Sequence, residues 1–256
     1  MQKQSPVVGI NSVRTALRFG AEGVHELWLD RRRRDRRLLE LATLAREAGI
    51  SVRQLERDEL DRAAEGANHQ GVLAWVRMPA ARAEPDLDQL LGGIDGPAFL
   101  LILDGVTDPH NLGASLRSAD AAGVHAVIAP KDHAVGLTPV AVKVASGAAE
   151  SVPFVQVTNL ARTLDRLKEQ GIWLIGTSDD ADTTLYQADL QGPLALVLGS
   201  EGKGMRRLTR ERCDLLVRLP MLGRVESLNV SVTAGICLYE ALRQRLQAAP
   251  ADAARA

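Results

Sequence analysis

Ala98-Phe-Leu-Leu-Ile-Leu-Asp104 decides the fold class: five large apolar residues follow one another and the run stops at an acid. A strand with one wet face alternates apolar and polar side chains, whereas a strand covered on both faces need not. The run therefore predicts a buried strand of a parallel sheet with helices above and below it. Outward toward the C-terminus, helical and strand-like apolar periods alternate. They predict a helix near 111–122, a strand at 125–129, a helix near 138–146, a strand at 153–157, a helix at 159–170 and a strand at 172–176. A strand at 194–198, a short helix near 205–212, a strand at 215–218 and a long helix over 229–247 complete the block. Strands separated by helices make an α/β domain with a parallel sheet.

Outward toward the N-terminus, residues 79–97 are rich in Pro, Gly and acid and read as a linker, with at most a helical turn around Leu87–Leu91. Before it, periodicity predicts helix 11–19, strand 24–29, helix 36–48, strand 51–55, helix 57–64 and strand 71–76. Val24, Leu27 and Leu29 feed the first of these strands, and Leu38, Leu39, Leu41, Ala42 and Ala45 form a helical stripe. The expected organisation is a small α/β domain over 1–78, a linker over 79–97, the parallel-sheet domain over 98–247 and a disordered tail over 248–256.

Of the 256 residues 46% are hydrophobic and 25% charged, which supplies a core and excludes disorder as the main state. Aromatics are only 3%, so packing falls to Ala, Val and Leu, as suits an α/β protein better than a β-sandwich. No stretch approaches the roughly 18 uninterrupted apolar residues of a membrane span. The opening Met1-Gln-Lys-Gln-Ser-Pro-Val-Val8 lacks the plan of a secretion signal. Cys213 and Cys237 stand in separate segments, so neither a disulfide framework nor a metal site is expected, and a cytoplasmic location is. A net charge of −1 gives no global argument for a polyanion partner. Locally the balance differs: residues 1–78 hold 14 basic against 11 acidic side chains.

Three loops at strand ends carry the chemistry, where parallel sheets bind ligands. In Asp104-Gly-Val-Thr-Asp-Pro-His-Asn-Leu-Gly-Ala-Ser-Leu-Arg117, Asn111 is placed to cap a helix and Arg117 to grip a phosphate or to pair with Asp120. Gly199-Ser-Glu-Gly-Lys-Gly204 holds three glycines, which suits either a tight turn or close approach to a ligand; it does not satisfy the P-loop or dinucleotide patterns. Glu201 within it is able to face a cation. In Leu219-Pro-Met-Leu-Gly-Arg-Val-Glu-Ser-Leu-Asn229, Ser227 and Asn229 project the same way from extended backbone, and Asn229 is placed to cap the last helix.

Together and in this order, the three segments resemble the three motifs of the SpoU branch of the SPOUT methyltransferases. The runs LLILDGVTDPHNLGASLRSADAAGVHAVI, KVASGAAESVP, VTNLART, GMRRLTRE and SLNVSV, with Gly9-Ile-Asn-Ser-Val13 and His69-Gln-Gly-Val72, are similar to bacterial members that 2′-O-methylate a guanosine of 23S ribosomal RNA. The resemblance implies a parallel-sheet domain tied in a deep trefoil knot, a small ribosomal-protein-like RNA-binding domain before it, and a homodimer packed through the knot. It implies S-adenosylmethionine as cofactor, contacted by Gly199, Glu201, Gly202, Leu219, Met221, Gly223 and Leu228, and no metal. Asn111, Arg117, Glu201, Ser227 and Asn229 match the family's catalytic positions.

The expected partner is 23S rRNA or the assembling large ribosomal subunit, at a guanosine of the P-site hairpin. Arg31, Arg32, Arg33, Arg34, Arg36 and Arg37 are candidates for contacting its phosphates, against the alternative of a solvated charged face. A guanidinium with a pKa above about 12 is a reluctant base, so Arg117 is expected to stabilise the developing alkoxide rather than take its proton. Transfer-RNA ribose methylation, a non-catalytic ribosome-assembly factor and a nucleotide phosphohydrolase stand as alternatives.

Overall fold

The computed structural model describes residues 4–19, 21–33 and 35–248. Arg34 and the tail beyond 248 lie outside them. Contacts divide the chain into two units, one of residues up to Ala80 together with Leu137–Ser151, the other of Ala81–Gly136 together with residues from Val152 onward.

The first unit runs β1 (Gln4–Val8), α1 (Ile10–Phe19), β2 (Val24–Asp30), α2 (Arg36–Glu47), β3 (Ser51–Leu55), α3 (Arg57–Ala63) and β4 (Val72–Arg77). The strands lie in the order β1-β4-β2-β3, with only β2 and β3 parallel. Sequence periodicity does not reveal β1, because Pro6 sits inside it. A proline removes a ladder donor and survives in a strand at a sheet edge, which is where β1 lies. α2 starts at Asp35, whose carboxylate accepts the Leu38 N–H, and buries Leu38, Leu41, Ala42 and Ala45. Leu39, expected in the same stripe, is 59% exposed; it points about 100° around the helix from Leu38.

The chain continues through β5 (Arg82–Ala83), α4 (Asp86–Gly92), β6 (Phe99–Asp104), α5 (Pro109–Ala121) and β7 (Ala126–Pro130). Then come α6 (Pro139–Ala145) and α7 (Ala148–Ser151), which group with the first unit. β8 (Phe154–Val157), α8 (Leu160–Glu169), β9 (Trp173–Thr177), β10 (Thr183–Thr184), β11 (Leu194–Gly199), α9 (Arg207–Arg210), β12 (Leu215–Arg218) and α10 (Val230–Ala248) follow. Their eight strands form one sheet in the order β10-β12-β9-β11-β6-β7-β8-β5, every pair parallel.

All six residues of β6 are buried, as its unbroken apolar run requires. Residues 79–97 are more than a linker. β5 extends the sheet at β8, and α4 sends Leu87 into the core beside Leu100 and Ile102, at 2% exposure. From β6 the chain steps outward to β7 and β8, crosses to β9, and returns to lay β11 between β9 and β6. The stepping direction therefore reverses beside β6, and a crevice opens at the carboxyl ends of the strands there.

Candidate active site

Gly199 ends β11 directly opposite Asp104, which ends β6. Beyond it the chain turns back on itself, Ser200 and Gly204 exchanging backbone hydrogen bonds of 3.1 and 2.9 Å. Gly202 and Gly204 hold φ at +75° and +65°, a left-handed conformation that glycine adopts without a Cβ clash. A Cβ on Gly199 would lie 2.0 Å from the Gly204 carbonyl carbon and 2.1 Å from the Met205 nitrogen. The chain's own return thus demands glycine at 199, before any ligand is considered.

Glu201 projects from this turn and gathers the three sequence motifs. Its Oε1 accepts from Asn111 Nδ2 at 3.0 Å, from Asn229 Nδ2 at 2.7 Å and from the Val230 backbone N–H at 3.2 Å. Val230 opens α10, so the carboxylate also sits at the positive end of a 19-residue helix. Asn229 Nδ2 reaches Asn111 Oδ1 at 2.9 Å, while Asn229 Oδ1 accepts the Ser231 N–H at 2.9 Å. One amide group thus caps a helix with its oxygen and ties two loops with its nitrogen. An aspartate offers the first function only.

Asn111 does not cap α5. The helix begins two residues earlier, at Pro109, with Asp108 accepting the His110 N–H at 2.9 Å. That hydrogen bond holds the Asp108 carboxyl below its ordinary range. Proline's fixed φ suits the first helical position, and the earlier start leaves the buried Asn111 side chain free to meet Glu201. Arg117 is exposed and stands apart from this network. Six helical residues carry it about 9 Å along α5 from Asn111 and about 120° around the axis.

A cavity of about 530 Å³ opens at the ends of β9, β11 and β12. Gly199, Glu201, Gly202, Leu219, Met221, Ser227 and Leu228 line it; Gly223 lies outside the lining. Thr177, which ends β9, Ser178 and Asp179 just past it, and Thr233 on α10 also line it, beyond the residues singled out from the sequence. The rule that ligands sit at strand ends points to 177–179, and Gly176 before them with the Asp179-Asp180 pair is the local signal in the sequence. A second cavity, of about 640 Å³, shares Ser200, Glu201, Lys203, Gly204 and Met205 with the first and adds Asp104, Thr107, Asn111, His133 and Arg206. The buried Asp104 carboxylate accepts the Arg206 backbone N–H at 2.8 Å and its Nε at 2.6 Å, pinning the end of the turn to the end of β6.

The arginine cluster in the first unit does not act as one block. Arg31 and Arg32 both pair with Glu56, at 3.7 and 3.1 Å, and Arg36 pairs with Glu40 at 3.3 Å. Arg33 is held by Asp35 at 2.7 Å, whereas Arg37 is exposed. Burial pushes both Cys213 and Cys237 up to about 12, so neither offers a thiolate at neutral pH. Among the described residues no three His, Cys, Asp or Glu side chains gather as a metal site, and no helix is long and apolar enough to cross a membrane.

Residues 98–239, more than half of the chain, match the model of the SpoU rRNA Methylase family. The chain belongs to that family. Residues 6–81 match a second model, RNA 2′-O ribose methyltransferase substrate binding. The chain is 57% identical over 245 residues to the 23S rRNA (guanosine-2′-O-)-methyltransferase RlmB of Shewanella oneidensis, covering 96% of this chain and 99% of that one. To RlmB of Escherichia coli it is 54% identical over 239 residues, 93% of this chain and 98% of that one. Among solved structures, the SpoU methyltransferase AviRb from Streptomyces viridochromogenes, in complex with AdoMet, superposes with a TM-score of 0.77 at 29% identity, over 95% of this chain and 91% of that chain.

Proposed function

We propose that this SpoU-family chain methylates the 2′-oxygen of a guanosine ribose in 23S rRNA, with S-adenosylmethionine as methyl donor. The observation that carries the reading is the Asn111–Glu201–Asn229 network at the reversal point of a parallel sheet. It stands in a chain more than half identical, nearly end to end, to RlmB enzymes. The first cavity suits the donor: its volume is that of a small-molecule site, Leu219, Met221 and Leu228 offer apolar surface, and Glu201 offers negative charge. When bound, the donor supplies an activated methyl group on a sulfonium.

The protein's own residues then have three tasks. Glu201, tied to Asn111 and Asn229, holds the 200–204 turn in shape and faces the cationic donor. The second cavity receives the acceptor nucleotide, with Lys203 and Arg206 near its phosphate. Arg117 orients the RNA backbone and stabilises the oxygen as its proton leaves, an electrostatic role that needs no change in the guanidinium's protonation. A homodimer through this domain, its active site near the interface, supplies the route by which an exposed Arg117 meets the acceptor. Alignment of two bound reactants provides much of the remaining acceleration.

Residues 1–78 hold the RNA and 98–247 carry the reaction, within a knotted domain of a cytoplasmic enzyme. The favoured target is the P-site hairpin. The identity to RlmB enzymes over nearly the whole chain, substrate-binding residues 6–81 included, supports a ribosomal over a transfer-RNA substrate. Incubation of the protein with labelled donor and 23S fragments is expected to label one guanosine ribose. Label on transfer RNA alone, or none, refutes the assignment.

Gly199→Ala tests the donor cavity from its backbone. Overpacking against an unyielding neighbour costs about 1–3 kcal/mol, or a melting point lower by about 2–12 °C. Donor affinity measured by calorimetry should fall with it. Wild-type values for both show that the turn does not shape the cavity.

A further inference from the structure

We infer that the first unit carries a phosphate pocket of its own, a cavity of about 420 Å³ ringed by Arg33, Arg37 and Arg57, which grips one phosphodiester of the RNA. The inference rests on the reading that the chain acts on RNA, and it assigns the contact to specific guanidiniums rather than to the Arg31–Arg37 run as a whole.

The floor of the cavity is fixed from every side. His69 is buried at 4% exposure, its Nε2 2.9 Å from Asp61 Oδ1 and its Nδ1 accepting the Gly71 N–H at 3.1 Å. Because Nδ1 accepts, the ring proton belongs to Nε2 and points at Asp61. Gln70 holds φ at +53°, rare for a residue with a Cβ, and its Oε1 accepts the Ile10 N–H at 3.0 Å. Arg33 lies across Gly71, donating to the Gln70 carbonyl at 2.7 Å and to Asp35 at 2.7 Å. A Cβ at Gly71 would come within 2.8 Å of Arg33 Cδ. Backbone held in a costly conformation by its surroundings clusters at binding sites, and here it seats one guanidinium on the cavity rim.

The charges then sort themselves. Two carboxylates reach this cavity, and both are engaged: Asp30 accepts the Arg32 N–H at 2.9 Å, and Asp61 faces His69. Arg57 approaches Asp61 only at 3.8 Å with 70% of its side chain exposed. Arg37 lines the cavity and makes no ion pair among the described residues. Two guanidiniums are thus turned to solvent beside a third that is fixed, a geometry suited to bidentate capture of a phosphate. Arg31, Arg32 and Arg36, by contrast, lie outside the cavity and share Glu56 and Glu40.

The test compares two double variants of the full-length protein that remove the same charge: R37S/R57S at the cavity and R31S/R32S outside it. Binding of a 23S hairpin fragment is followed by anisotropy between about 50 and 200 mM salt. The cavity pair is expected to bind about tenfold more weakly and to flatten the plot of log K against log salt by about 0.7–0.9, the slope of one phosphate. The outer pair should change each by much less. Equal effects from both pairs, or none from the cavity pair, overturn the proposal. Melting points and donor affinity, expected to stay at wild type, separate a folding defect from a lost contact. A wild-type protein that binds the hairpin yet transfers no methyl group refutes the catalytic reading while leaving the salt comparison intact.

Discussion

Replacing Arg117 by alanine is expected to lower methyl transfer to RNA at least about a hundredfold, the usual cost of removing a group that meets developing charge, with donor affinity unchanged. Arg117 is exposed on α5 and stands outside the Glu201 network, so its loss creates no cavity and breaks no internal hydrogen bond described above. The whole effect should fall on turnover and on RNA affinity. Arg117→Lys should recover only part of it, because an ammonium keeps the charge but not the planar two-pronged donor. Single-turnover assays at saturating RNA check this. Turnover of the alanine variant within about tenfold of wild type removes Arg117 from the reaction.

Glu201→Ala is expected to damage binding and turnover together, a different signature. The carboxylate oxygen accepts three hydrogen bonds that join α5, the 200–204 turn and α10. Its removal strands the Asn111 amide and the Val230 N–H, both on buried residues, and frees the Asn229 amide, which water reaches. The stability cost is accordingly that of two unpaired buried donors, about 2–6 kcal/mol at about 1–3 kcal/mol each. Activity should fall further, by about a hundredfold or more, because the donor cavity loses the wall that Glu201 holds in place. Glu201→Gln keeps an acceptor oxygen and should restore the melting point more fully than the activity. A Glu201→Ala protein that binds donor normally and melts like wild type would show the network to be ornamental.

Much of this is legible in the sequence alone. The uninterrupted Phe99–Leu103 run announced a strand buried on both faces, and the alternation after it announced the layer of helices. Small, charged and amide residues at strand ends picked out Asn111, Glu201 and Asn229, which the fold brings within hydrogen-bonding distance. What periodicity does not encode is the order of strands: nothing local to Leu194–Gly199 says that it lies between β6 and β9. Nor does it separate equal-looking arginines. Whether Arg31 or Arg37 is quenched depends on Glu56, which reaches the cluster only because β3 pairs with β2. Asn111 has the sequence signature of a cap but is none, because an amide before an apolar run satisfies the same rule as Asp108 before a proline, and only the backbone decides between them.

Because β11 fills the middle of the eight-stranded sheet from a late point in the chain, synthesis leaves a gap. At typical elongation rates, on the order of 5–20 s pass between the emergence of β6 and that of β11. For that interval β6 offers an unpaired backbone edge to any passing chain, joined by that of β9 once it emerges. Nascent chains halted before Leu194 should therefore be sticky, bound by chaperones and unable to hold the methyl donor, since the turn that shapes its cavity has not yet been made.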